Sequence, residues 1–317
     1  MRLPPKTVFL DQNKWIDLAH ALETPKADQR LYEIGCGLIK ELEEGRLQFP
    51  LTSSVIIETY KMADDRHRML VAEVQAQLSQ GRVYRDRNFL IRHEIAQFLE
   101  KGGDAEPLNP PHFWWMSKFF LEAFVDIPRA VSELGLELDQ LEGLSQAPKF
   151  ALFHWIATAP SDERESAMEH YEAGSNRLIA AIQKRIARLA DQRLSMRQRV
   201  YSAALAIDEM DRILTVCQAR GLTWASVADL GERRVKRIMQ CVPTYQVEIA
   251  LTLRIEGLER RITLNDLRDM HSYVAAIPKS DVLVGEKLFI NLAIQAGLNK
   301  KYGCHLHTKM YALEAYL

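Results

Sequence analysis

The chain has 317 residues, 41 Lys+Arg against 42 Asp+Glu for a formal net charge of −1, and 47% apolar residues. That length suits one large domain or two ordinary ones, and the apolar share is ample for a core, which excludes a disordered chain. The charge excludes a generally basic nucleic-acid coat, and no apolar run approaches the ~20 residues a bilayer span needs, so no membrane partner is expected.

The near-zero net charge is a cancellation. Residues 100–172 carry a balance of −9, and residues 177–237 a balance of +7. Such a division is compatible with an anionic partner on one side, and equally with two solvated helix faces of opposite sign.

At the N-terminus, Met1-Arg2-Leu3-Pro4-Pro5 precedes an apolar stretch too short for a signal peptide. Thr7-Val8-Phe9-Leu10 reads as a short buried strand stopping at Asp11. A helix follows with Trp15, Leu18, Ala19 and Leu22 on one face. Leu31, Ile34, Leu38, Ile39 and Leu42 predict a second helix, closed by Gly45. Arg46 to Leu51 reads as a strand, and Thr52, Ser53 and Ser54 offer caps to a helix carrying Val55, Ile56, Glu58, Tyr60 and Met62. Gly81 to Tyr84 reads as a third strand.

From Asp86 to Val242 strand signal is scarce, and Pro107, Pro110, Pro111, Pro128, Pro148 and Pro160 punctuate helical pieces. Two apolar stripes stand out: Leu178, Ile182, Ile186 and Leu189, then Val200, Ala203, Ile207, Met210, Leu214 and Cys217. They predict two long helices, packed as an antiparallel pair. Thr263 with Asp266 three residues on forms a capping box that opens a helix to Ile277. Val282-Leu283-Val284 is a strand, Lys287 to Ala296 a helix capped by Gly297, and Cys304 to Thr308 a last strand. The expected architecture is α/β: a short parallel sheet flanked by helices (residues 1–85 and 243–317), interrupted by a mostly α-helical insertion (86–242).

Asp11 and Glu286 directly follow strands, and ligand sites in open α/β sheets lie outside the carboxyl ends of strands. Each also has a plain structural reading, as a helix cap or a first-turn acid. Glu58 sits on an otherwise apolar helix face, where an unpaired carboxylate is costly. Asp266 and Asp269 share one helix face. Clustered carboxylates without Cys or His partners favour the hard cations Mg²⁺ or Mn²⁺ over zinc.

Thr7-Val-Phe-Leu-Asp11, Ser54-Val-Ile-Ile-Glu58 and the stretch Asn265 to Lys287 resemble the first strand, the second-acid helix and the last helix–strand–acid unit of PIN-like nucleases. The resemblance covers about residues 6–85 and 243–317. It implies a metal-dependent endonuclease acting on RNA, with Asp11, Glu58, Asp269 and Glu286 as the acidic quartet, and Asp266 and Asp281 as accessory metal acids. It also implies 5′-phosphate and 3′-hydroxyl products. Glu286 departs from the Asp more common at that position.

Positive charge is needed to hold the substrate, whether single-stranded or structured RNA. Lys14, Lys287, Arg233, Arg234, Lys236 and Arg237 are the candidates, with Arg260, Arg261 and the Arg177–Arg199 segment behind them. Trp114 and Trp115 suit stacking on bases or, more simply, anchoring a core beside Phe113, Phe119 and Phe120. Cys304-His305-Leu306-His307 brings only two ligands to one strand face, too few for zinc. Scattered cysteines without a CxxC pair suit thiols buried in a reducing cytoplasm. The helical insertion would select substrate, bind a regulatory protein or join copies of the chain. The alternative to catalysis is a non-catalytic PIN-like module that binds RNA or serves assembly.

Overall fold

The computed structural model describes residues 4–102, 112–125, 145–189, 191–222, 230–258 and 260–317, with all their side chains except those at 166–168, 170–175, 177 and 178. Pro107, Pro110, Pro111 and Pro128 lie outside the described residues, and the side chains of Arg177 and Leu178 outside the described side chains.

The N-terminal part runs β1 (Lys6–Leu10), α1 (Gln12–Glu23), α2 (Gln29–Glu43), β2 (Leu47–Gln48), α3 (Ser53–Tyr60), α4 (Asp65–Ser79), β3 (Val83–Tyr84), α5 (Arg87–Lys101) and β4 (Met116–Ser117). Among the described residues there follow α6 (Pro148–Thr158), α7 (Ser161–Leu189), α8 (Leu194–Asp208), α9 (Met210–Ala219) and α10 (Glu232–Cys241). The chain closes with α11 (Pro243–Ile255), α12 (Leu264–Ala276), β5 (Val282–Val284), α13 (Lys287–Gln295), α14 (Leu298–Tyr302) and β6 (His305–His307). Helix makes up 69% of the structure, so the α/β class rests on a small sheet in a largely helical body.

That sheet is parallel, in the order β2-β1-β5-β6, with Val8 opposite Val282 and Leu10 opposite Val284. Val8, Phe9, Leu10 and Val282 to Val284 have no exposed surface, as expected of parallel strands covered on both faces. The chain leaves β1 towards β2 on one side and returns to β5 on the other. The gap between the carboxyl ends of β1 and β5 is therefore the topological switch point, where open α/β sheets hold ligands.

β3 does not join this sheet as a full strand. It pairs antiparallel with β4, a two-residue strand with no sequence signal, and touches the β2 connection through a single bridge from Leu51 to Val83. The caps follow the sequence closely. Thr52 accepts from Val55 N to start α3, and the Thr263–Asp266 capping box opens α12.

Two cores run through the chain, and each draws buried residues from its middle. The first takes in the sheet together with Leu90, Trp115, Phe120, Leu152, Ile156, Ile179 and Ile182, and α6 packs along α4. The second is helical and gathers Ile91, Ile95, Tyr201, Leu205, Ile213 and Ile238. Helix α11 belongs to both: Val247, Leu251 and Ile255 face the first core, while Tyr245, Ile249 and Leu253 face the second. One helix with two apolar stripes ties the halves together, so residues 243–255 are as much part of the helical body as of the sheet.

The second predicted stripe is broken. A turn at Glu209 separates α8 from α9 and resets the helical phase. Ile207 is 74% exposed and Val200 37%, whereas Tyr201, Leu205, Ile213, Val216 and Cys217 are buried. The Glu209 carboxylate accepts from Arg87 Nη1 (2.9 Å) and the Tyr245 hydroxyl (3.0 Å), which draws the turn inward. Helix α7 packs on α12, and it meets α8 through Arg185, which lies over the Tyr201 ring, while Arg185 and Arg197 both reach Glu256 at the end of α11. Of the cysteines, Cys217 and Cys304 are buried but Cys36 and Cys241 are exposed, and all four are free thiols. No helix among the described residues is long and apolar enough to cross a membrane.

Candidate active site

Asp11 ends β1 and is 3% exposed. As N-cap of α1 it accepts from Gln12 N through Oδ1 (2.9 Å), which is the structural role expected of it. Its other oxygen points across to β5, where it accepts from Glu286 N (3.2 Å) and the Tyr273 hydroxyl (3.4 Å). Burial raises the Asp11 pKa, and the charge of Glu286 adds to that, although the two backbone N–H groups and Tyr273 pull the other way.

Glu286 is the N-cap of α13, yet its side chain makes no capping bond. Its Oε1 instead accepts from Asn13 Nδ2 (2.8 Å), which ties the start of α1 to the end of β5. The backbone allows this only because residue 285 is glycine. A Cβ there would sit 1.8 Å from the Tyr273 hydroxyl and 3.4 Å from Asp11 Oδ2. Gly285→Ala is expected to push Tyr273 off Asp11 and destabilise the fold by about 1–3 kcal/mol, read by chemical denaturation. A variant of unchanged stability would show that the approach is not needed.

Glu58 projects from α3 and Asp269 from α12, both half-buried. No hydrogen-bond donor or ion-pair partner among the described residues meets either one. Burial raises the Glu58 pKa, and Asp11 and Glu286 reinforce it, while the nearby charges of Lys61 and Arg268 oppose it. Asp269 is pushed up to about 9, first by burial and then by Asp11, Glu286 and Glu58. The four acids therefore stand within electrostatic reach of one another at the switch point. They are not gathered round one centre: among the described residues no group of three or more His, Cys, Asp or Glu side chains is arranged to hold a metal ion directly. Like charges resist closer approach. The donor set itself, carboxylate oxygens with no thiolate or imidazole, is the one hard divalent cations prefer.

The two accessory acids have hydrogen-bond partners elsewhere. Asp266 is consumed by structure: it accepts from Arg260 Nη1 (2.8 Å) and Nη2 (2.5 Å), Thr263 N (2.7 Å) and Thr263 Oγ1 (2.8 Å). Burial would raise its pKa, but Arg260 and Thr263 outweigh that and hold it low. Asp266→Ala is expected to cost about 1–2 kcal/mol through loss of the cap, measured by thermal or urea melting. Asp281 stands at the wrong end of β5: it accepts from Thr7 N (2.7 Å), four residues and roughly 13 Å of strand before Asp11.

The basic residues do not close on the acids as a set. Arg233, Arg234, Lys236 and Arg237 lie on α10, which packs on α5, α8 and α11, with Arg237 over the Phe98 ring. Helix α11 stands between α10 and α12. Lys287 is exposed at the first turn of α13, directly after Glu286. Lys14 lies one turn after Asp11 and reaches Asp17 (3.4 Å). Trp115 is a core anchor stacked on Tyr84, and Trp114 stacks on His93 beneath Lys279. His305 and His307 flank Tyr316.

No protein-family model, curated protein or solved structure matches the chain.

Three contributors escaped the sequence: Tyr273, Asn13 and the buried amide network beneath α1. There Gln12 Nε2 donates to Thr59 Oγ1 (3.1 Å), Gln75 Nε2 to Gln12 Oε1 (3.3 Å) and Thr59 Oγ1 to Gln75 Oε1 (3.0 Å). This network ties α1, α3 and α4 together directly behind the acids. Tyr273 is the one with a sequence trace, four residues after Asp269 and so on its helix face.

Proposed function

We propose that the chain is a PIN-like, metal-dependent endoribonuclease whose acidic quartet is Asp11, Glu58, Asp269 and Glu286, with Mg²⁺ or Mn²⁺ as cofactor and RNA as substrate. The observation that carries this reading is the pair Glu58 and Asp269. These are half-buried carboxylates without hydrogen-bond or ion-pair partners among the described residues, and they face two further acids at the switch point of a parallel sheet. Four acids kept together against their own repulsion, with the most buried group Asp11 at the strand end, are an expensive arrangement unless a cation rewards it.

Asp11, Glu58, Asp269 and Glu286 would hold the ion. When bound, it supplies positive charge that acidifies a water and offsets the charge growing on the leaving oxygen. Asp11 is oriented by three hydrogen bonds and Glu286 by Asn13, so these two are pre-set. Asp269 must lose its proton before it can serve as a ligand. The two N–H groups of Gln12 and Glu286 and the Tyr273 hydroxyl keep Asp11 aimed at the gap between β1 and β5. Clustering at the carboxyl edge leaves the attacking water and the phosphodiester to approach from solvent.

The test is cleavage of an end-labelled single-stranded RNA by the full chain with Mg²⁺ or Mn²⁺ and with EDTA. Cleavage with either metal, lost in EDTA and yielding 5′-phosphate ends, is the expected result. Absence of cleavage with both metals across single-stranded and structured RNA would overturn the assignment in favour of a non-catalytic RNA-binding module.

A further inference from the structure

A groove of about 480 Å³ opens at the carboxyl edge of the sheet between α1, the start of α2 and the segment after β6. The four acids do not line it, but two of its lining segments adjoin those that carry Asp11 and Glu286. Lys14 N donates to Asp11 O (2.8 Å), and Gly285 N donates to His307 O (3.0 Å), which sets Thr308 and Lys309 beside Gly285 and Glu286. From Lys14 the groove follows α1 past Asp17 to His20 and Ala21, about 10 Å along the helix. Its volume falls within the range of ordinary ligand sites.

The lining is mixed in a particular way. Ala21, Leu31 and Met310 are buried and apolar. Around them stand donors and acceptors of both kinds: Lys14 with Asp17, Asp28 accepting from the Tyr311 hydroxyl (2.7 Å), and His20. One ion pair, Lys14 with Asp17, and a carboxylate held by a tyrosine hydroxyl along an apolar floor do not make a polyphosphate site, for which unopposed cations are needed. They suit a flat, polar-edged group, and unpaired nucleobases are read in this way, by apolar or aromatic contact on the face and hydrogen bonds on the edge. Lys309 stands apart from these pairs, as does His20, whose ring is hydrogen-bonded to and stacked on His67. Lys309 is exposed, makes no ion pair among the described residues, and lies at the mouth, where a phosphate next to the acids would pass.

We infer that this groove is the base-binding subsite of the enzyme, taking an unpaired nucleotide adjacent to the scissile bond, with Lys309 on its phosphate and Asp17 reading its base edge. The inference rests on the nuclease reading for the word adjacent, but not for the binding itself. It directs the RNA along α1 and β6, away from the α10 basic helix that the charge pattern favoured.

Two measurements on the full chain test it. In the Asp11→Asn background, fluorescence anisotropy with a labelled single-stranded RNA reads binding without turnover. Lys309→Ala is expected to weaken binding about tenfold and to flatten the salt dependence by about 0.7 in log–log slope. Arg233→Ala with Arg237→Ala should leave binding as it was. In the active enzyme, mapping of cleavage sites on mixed-sequence RNA should show a base preference next to the cut that Asp17→Ala relaxes. If Lys309→Ala binds normally while the α10 variant weakens binding, the groove is overturned whatever the cleavage result. Unchanged base preference in Asp17→Ala overturns its reading role. If the wild-type chain never cleaves but Lys309→Ala still abolishes binding, the groove stands and the nuclease reading fails.

Discussion

Asp11→Asn is expected to abolish metal-dependent RNA cleavage, by at least about a thousandfold, while the protein folds normally. Groups that act as one unit lose most of the rate when any one is removed, and Asp11 is the acid nearest the centre of this unit. It bonds to Glu286 N and Tyr273 and raises the pKa of both Glu58 and Asp269 by its charge. Asparagine keeps the shape and an acceptor oxygen for the α1 cap, but removes the negative charge a cation needs. Its amide nitrogen would face the Glu286 N–H that Asp11 Oδ2 accepts from, so stability should fall by about 1–3 kcal/mol. Cleavage of labelled RNA together with a circular-dichroism melt checks both halves. Full activity in the variant with metal would sink the assignment, and an unfolded variant would move the test to Glu58→Gln.

Asp269→Asn is expected to do the opposite to stability: it should strengthen the metal-free protein. The Asp269 pKa is raised to about 9 from an ordinary 3.8, by burial first and then by four acids, Asp11, Glu286, Glu58 and Asp266. Between those values the folded chain keeps a proton that the unfolded chain has released. Stability therefore falls as pH climbs from about 4 to about 9, and the contribution is fully present only below the unfolded value. Asparagine has no proton to lose. Its advantage should be absent near pH 4, grow with pH, and reach roughly 1–3 kcal/mol at pH 8, allowing for solvent at the half-buried site. Urea denaturation in EDTA at pH 5 and pH 8 measures it. Mg²⁺ should then raise the melting temperature of the wild type and leave the variant nearly unmoved. A variant weaker than wild type at pH 8 would show that Asp269 is held by a partner and is not a strained ligand.

Much of the sheet was legible because short parallel strands leave a plain mark. Val8-Phe9-Leu10 and Val282-Leu283-Val284 are apolar on both faces and stop at polar residues, and the structure gives them the boundaries those runs imply. The helix caps were legible for the same local reason: Thr52 and the Thr263–Asp266 box act within one turn of chain. β4 was not legible, since two residues carry no period. The α8–α9 stripe was misread because a single buried side chain, Glu209, breaks the helix and resets its phase, and periodicity cannot register a partner 122 residues away at Arg87.

The residue types at the switch point could be picked from the sequence, since an acid after a buried strand and an acid on an apolar helix face are both anomalies of local pattern. Their fates could not. Asp266 and Asp269 are three residues apart on one helix, yet Arg260 and the cap claim the first while the second faces only other acids. Asp281 and Glu286 bracket one three-residue strand, and the strand's direction sends them to opposite ends of the sheet. Local sequence sets what a carboxylate can do within a turn of its own backbone. Whether that carboxylate is paired, capped or left facing like charge depends on chains brought together from far apart, because burial and Coulomb forces act through space.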